Sequence, residues 1–85
     1  MDKLELIEKI ESFRNFKNNW NGYGAKPISK NVINRAMILA YDFEPMQEVF
    51  PTANNSIQFE WDMNGVYIEL EVFEDNIKVF GLINE

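Results

Sequence analysis

Asn64-Gly65, set between two runs of strictly alternating residues, is the feature that most narrows what this chain can become. Upstream, Ile57, Phe59 and Trp61 alternate with Gln58 and Glu60. Downstream, Val66, Ile68, Leu70 and Val72 alternate with Tyr67, Glu69, Glu71 and Phe73. Strand side chains point to opposite faces with a period of two, so each run has one apolar face and one mostly polar face. A two-residue hairpin turn needs positive φ at both central residues, which Asn-Gly tolerates well. With that pair as the loop the register follows: Met63 opposes Val66, Trp61 opposes Ile68, Phe59 opposes Leu70 and Ile57 opposes Val72. On the other face Glu60 then meets Glu69, and Gln58 meets Glu71. Directly opposed like charges cost a strand pair on the order of a few tenths of a kcal/mol. Stability gives no reason for them, so this face is the first candidate for function.

A third strand is expected to end at Ile83. A second turn at Asp75-Asn76 sets Val72 opposite Val79, Glu71 opposite Phe80 and Glu69 opposite Leu82, giving the acidic face an apolar margin. Ile77, Val79 and Ile83 face inward, and Gly81 leaves a gap in that row. Phe80 and Leu82 face outward. An edge strand of this kind invites pairing with another chain, so homodimerisation or partner docking is expected there.

The N-terminal half has helical spacing instead. Asp2 and Glu5 form a capping pair, and Leu4, Ile7, Ile10, Phe13 and Phe16, with Leu6 and Trp20, make an apolar stripe that predicts a helix to about Lys17. Glu5 and Lys9 add an i,i+4 pair on its wet side. Asn18 to Ser29 holds two glycines, a proline and three asparagines, which cannot continue a helix. Its Trp20, Tyr23 and Ile28 are too apolar for a free linker, so an ordered connection packed back on the core is expected. Ser29 can cap a second helix with Val32, Ile33, Ala36, Met37, Ala40 and Phe43 on its apolar face, stopping near Asp42 before Glu44-Pro45. Met46 to Phe50 reads as a short edge strand or an extended arm, ended by Pro51, with Thr52 to Asn55 as a polar loop. The resulting expectation is one α+β domain over residues 1–85, two N-terminal helices packed on one face of a three-stranded antiparallel meander.

The chain has 85 residues, 46% of them apolar, enough for one globular core. It has no cysteine and no histidine, which excludes disulfides, thiolate or imidazole metal ligands, cysteine nucleophiles and histidine bases. No apolar run suits a secretory leader or a membrane helix, so no membrane is expected as a partner and a cytoplasmic setting is. The net charge of -6 is uneven. Up to Asp42, seven basic residues outnumber five acidic ones; from Glu44 onward, nine acidic residues accompany only Lys78. Phosphate recognition needs clustered Lys and Arg, so the sheet is not expected to bind nucleic acid directly; a protein with a basic surface is its natural complement.

Several patterns suggest chemistry. Glu60, Asp62, Asn64, Gly65 and Glu71 have the spacing of a calcium-binding EF-hand loop, but that loop lies between helices, whereas this one interrupts strand patterns. Gly22-Tyr23-Gly24 beside Lys26 could attract a phosphate, yet lacks the preceding strand and the third glycine; a tight bend is the preferred reading. Glu60, Glu69 and Glu71 could be an acid/base or magnesium site, but catalytic carboxylates work in concave, partly dry clefts, and an outer sheet face is flat and wet. Asn54-Asn55-Ser56 matches a glycosylation acceptor and is set aside for want of a secretory signal. No catalytic residue, metal or cofactor is expected. Trp20, Tyr23, Phe59 and Trp61 are read as core, with the Trp61 indole reaching a backbone carbonyl of the interhelical connection.

Two segments, NWNGYGAKPIS and PTANNSIQFEW, together resemble a group of small bacterial proteins with a pattern like N-W-D-G-Y-G-A-x-P-I followed by P-T-x-x-G-x-I-Q-x-E-W. They cover about a quarter of the chain, with Asn21 where aspartate is usual and Asn55 where glycine is usual. Such proteins turn up in mobile-element and toxin-antitoxin neighbourhoods, so the resemblance implies a small interacting protein rather than an enzyme. The functional expectation is a protein-binding module, an antitoxin or phage-type inhibitor. It would dock through Glu60, Glu69, Glu71, Glu74 and Asp75, with Glu48 nearby and Phe80 and Leu82 at the margin. The alternative is a structural adaptor that self-associates through the last strand.

Overall fold

The computed structural model describes residues 1–43 and 48–83. Helix α1 (Lys3–Ser12) runs into a 3-10 turn (Phe13–Asn15), and α2 (Lys30–Ala40) follows. Four strands, β1 (Glu48–Thr52), β2 (Ser56–Met63), β3 (Val66–Val72) and β4 (Ile77–Ile83), form one antiparallel sheet in sequential order. The chain is therefore α+β with two helices and an antiparallel sheet, but the sheet has four strands rather than three. None of the described helices is long and apolar enough to cross a membrane.

The additional strand is β1, and Pro51 does not end it. Pro51 lies within β1, opposite Ile57. Antiparallel ladders alternate between hydrogen-bonded and open pairs, and with Thr52 paired to Ser56 across the turn, Pro51 falls at an open position. Its missing N–H then faces the free edge, where proline is tolerated. The three-residue turn after β1 ends on Asn55 in the left-handed region, φ 56°, a common geometry for hairpins of this loop length. After glycine, asparagine is one of the side chains that most readily adopts this conformation.

Both helix starts follow from local chemistry. Asp2 Oδ1 accepts from the Glu5 N–H at 2.8 Å, and Ser29 Oγ accepts from the Val32 N–H at 3.3 Å. Helix α1 ends at Ser12, short of the expected Lys17, because Phe16 turns to extended backbone and its ring stacks on Trp20 at 4.8 Å. The buried line on α1 and its extension is Leu6, Ile10 and Phe13, whereas Leu4 is 65% exposed.

The connection from Asn18 to Ser29 is ordered by asparagine side chains. Asn21 Oδ1 accepts from the N–H groups of Tyr23 and Ala25, and Asn19 Oδ1 accepts from that of Gly24. An aspartate at position 21 would offer the same acceptor. Gly22 and Gly24 adopt φ of 79° and 84°, as a tight bend requires. The indole that reaches the backbone here is that of Trp20, which donates to the Lys26 carbonyl at 2.8 Å. Trp61 packs instead against Phe43 and Phe59. Tyr23 corrects the expectation of a core aromatic: it stands 91% exposed at the tip of the bend. This connection meets the turn after β1 where the Ser29 N–H donates to Asn55 Oδ1 at 2.8 Å.

The core joins Leu6 and Ile10 to Val32, Ile33, Ala36 and Ala40, and these to Val49, Ile57, Phe59 and Val72, which share one sheet face. Cover on that face runs out in two directions. Along the β2–β3 hairpin, Ile57 and Phe59 are fully buried and Trp61 is half-buried, while Met63 is exposed. Across the strands Val49 is fully buried and Leu70 half-buried, and Val79 is 68% exposed.

Candidate functional site: the outer sheet face

The β2–β3 register is the one the Asn64-Gly65 turn dictates, from Met63 against Val66 to Ile57 against Val72. Asn64 and Gly65 take φ of 53° and 79°, as the primed turn needs. Glu60 therefore opposes Glu69 and Gln58 opposes Glu71 on the face away from the core. The strand β1 extends this row, because Glu48 lies opposite Glu60. Three carboxylates thus stand side by side across β1, β2 and β3, with Phe80 of β4 next in line opposite Glu69.

The β3–β4 register differs from the expected one by two residues. Val72 pairs with Ile77, Glu71 with Lys78, Glu69 with Phe80 and Tyr67 with Leu82. The turn is centred on Glu74 and Asp75, closed by a bond from the Phe73 N–H to the Asn76 carbonyl at 2.9 Å. This register sets the one cation of the sheet opposite a carboxylate, and it places Lys78 Nζ 5.1 Å from the centroid of the Phe73 ring. A shift of two residues leaves every side chain on its expected face, so Phe80 and Leu82 still point outward and both are half-exposed, at 52%. Glu74 and Asp75 sit at the end of the sheet, where Asn55 Nδ2 donates to Glu74 Oε1 at 3.2 Å. They flank the acidic row and do not belong to it.

Neutral donors stabilise the carboxylates. Tyr67 Oη donates to Glu69 Oε1 at 2.5 Å, Ser56 Oγ to Glu71 Oε2 at 2.5 Å, and Gln58 Nε2 to Glu60 Oε2 at 3.1 Å. The bond to Glu69, with partial burial and the nearby charge of Glu60, holds the Tyr67 phenol well above the ordinary tyrosine range. Because the donors are neutral, the face keeps its negative charge while its carboxylates stay oriented. Glu60, Asp62, Asn64, Gly65 and Glu71, the calcium-like spacing, are spread over a hairpin rather than wrapped into a loop. Among the described residues no three acidic groups converge closely enough to hold a metal ion.

Sequence reasoning left Glu48 outside the row because its strand was ambiguous, and it did not single out Tyr67 or Lys78. Their signal was present in period two, which puts residues 67, 69, 71 and 73 on one face. No family model matches this chain, and neither the curated proteins nor the solved structures contain a match to it.

Proposed function

We infer that the chain is a non-catalytic protein-binding module that docks its acidic sheet face on a basic surface of a partner protein, in the manner of an antitoxin or a phage-type inhibitor. The observation that carries this reading is the row Glu48, Glu60 and Glu69, opposed across three strands with only neutral donors bonded to Glu60 and Glu69. Such an arrangement lowers the stability of the sheet, and a complementary cationic surface would turn that cost into binding energy. Phe50, Phe80 and Leu82 add apolar area around the charges, a mixture suited to protein rather than to nucleic acid. A cytoplasmic setting goes with this reading, and mimicry of a phosphate backbone is its sharpest form.

The test is capture from the cells that encode the chain, with wild type and with the double reversal Glu60→Lys and Glu69→Lys. A basic protein should be retained at low salt, released as salt rises, displaced by added DNA and absent with the reversed variant. Retention that ignores both salt and the reversal would sink the reading. The second reading, an adaptor that self-associates, draws on β4, every residue of which is exposed.

A further inference from the structure

The two edges of the sheet are unlike. At β1 the outward position Pro51 offers no N–H, and a charged Glu48 begins the strand, both common devices against edge pairing. At β4 the alternation set by the Phe73–Asn76 bond turns the backbone groups of Lys78, Phe80 and Leu82 toward β3. Those of Ile77, Val79, Gly81 and Ile83 then point outward. This edge is seven residues long and carries no carboxylate; its one charge is Lys78. Every other strand of the sheet carries at least one acid. A strongly acidic chain can meet its own copy most easily here.

We propose that β4 pairs antiparallel with β4 of a second copy, about a two-fold axis through Phe80, to make one continuous eight-stranded sheet. This register overlaps the full strand and uses only outward-facing groups: Ile77 of one copy opposes Ile83 of the other, and Val79 opposes Gly81. Phe80 meets its own image at an open pair, where side chains approach most closely. Lys78 meets Leu82, so no like charges are opposed. The Glu69 side chains of the two copies stay three strand spacings apart, roughly 14 Å, beyond the screening length of about 8 Å at physiological salt.

The same operation brings together bare apolar residues at both ends of β4 on the inner face. A groove of about 290 Å³ runs between α2 and the start of β4, lined by Arg35, Ile38, Leu39 and Ile77. Ile38 is 68% exposed there, and Ile83, at the far end of β4, is 74% exposed. Pairing about Phe80 brings Ile83 of each copy beside Ile77 of the other, at the mouth of that groove. A head-to-tail arrangement, β4 on β1, is opposed by Pro51, which favours the closed dimer over an open chain. The proposal does not rest on the acidic face: a monomeric chain would remove the dimer and leave that reading standing.

Sedimentation of the intact chain should give twice the monomer mass, persisting at high salt. The chain has no cysteine, so Phe80→Cys gives a clean probe: about 4.5 Å between Cα atoms at an open pair lies within disulfide range. Under mild oxidation Phe80→Cys should cross-link to itself. Lys78→Cys and Leu82→Cys should cross-link only when mixed. Ile83→Asp, at an exposed position that leaves the protomer core untouched, should return the mass to that of a monomer with an unchanged circular dichroism spectrum. A monomer at every concentration would overturn the proposal. So would a dimer in which Phe80→Cys fails to cross-link or which Ile83→Asp leaves intact.

Discussion

Glu60 shows how a single residue can weaken a fold. It has a glutamate on either side, Glu48 and Glu69. Replacing it with glutamine keeps the shape and an acceptor for Gln58 while removing both repulsions. Glu60→Gln should therefore stabilise the domain by a few tenths to about 1 kcal/mol, read as a higher urea midpoint, while weakening capture of the proposed basic partner. An unchanged or lower midpoint would mean that the row carries no strain. Tyr67 reports on the same face. Its phenol is held protonated by the bond to Glu69, so its folded-state pKa lies above the unfolded value of about 10. The stability from this bond is fully present below that pH and is lost as pH rises through the folded pKa. Ultraviolet titration should show Tyr67 ionising above the ordinary tyrosine range, and Glu69→Gln should bring it back down. At this scale the asparagines were the least legible residues. Composition shows that Asn19, Asn21 and Asn55 sit in turns, but which N–H groups their side chains satisfy depends on a folded loop.

Among the elements, the β2–β3 hairpin was the most legible and the β3–β4 turn the least. Asn64-Gly65 admits essentially one tight geometry, so its register could be read residue by residue. Phe73 to Asn76 has no such constraint, and the observed register is one that sets Glu71 opposite Lys78. The strand β1 was obscured by its proline, which reads as a breaker unless its N–H is known to face an edge. That position gives a prediction. Pro51→Thr restores an outward N–H and a good strand former, so it should leave the protomer spectrum unchanged while allowing the free β1 edges of neighbouring dimers to pair. Assemblies larger than a dimer should then appear in light scattering. A Pro51→Thr chain that assembles no further than wild type would show that proline is not what protects this edge.

For the whole molecule, the radius of gyration is 13.1 Å and the long axis is 42 Å, against 25 and 24 Å for the others. A compact chain of this length would give roughly 12 Å. Toward the β2–β3 turn and along β4 the inward residues lie bare, Met63 at 46% and Val79 at 68% exposed. The core is correspondingly small and depends on a few large residues, Phe59 foremost. It is fully buried, with the Phe43 ring packed edge-on at 4.9 Å. Phe59→Ala should cost about 3 to 5 kcal/mol, a large share of the about 5 to 15 kcal/mol typical of small domains. Thermal unfolding should show a steep fall in midpoint or no cooperative transition. What the sequence alone determined is which face each residue of β2, β3 and β4 takes. Side-chain alternation is a local property of extended backbone, and it survives even a two-residue error in register. What only the tertiary structure decided is which residues become neighbours across strands and how far the helices reach over the sheet. Those depend on turn geometry and on packing between segments far apart in the chain. They produced the three-carboxylate row and left β4 uncovered.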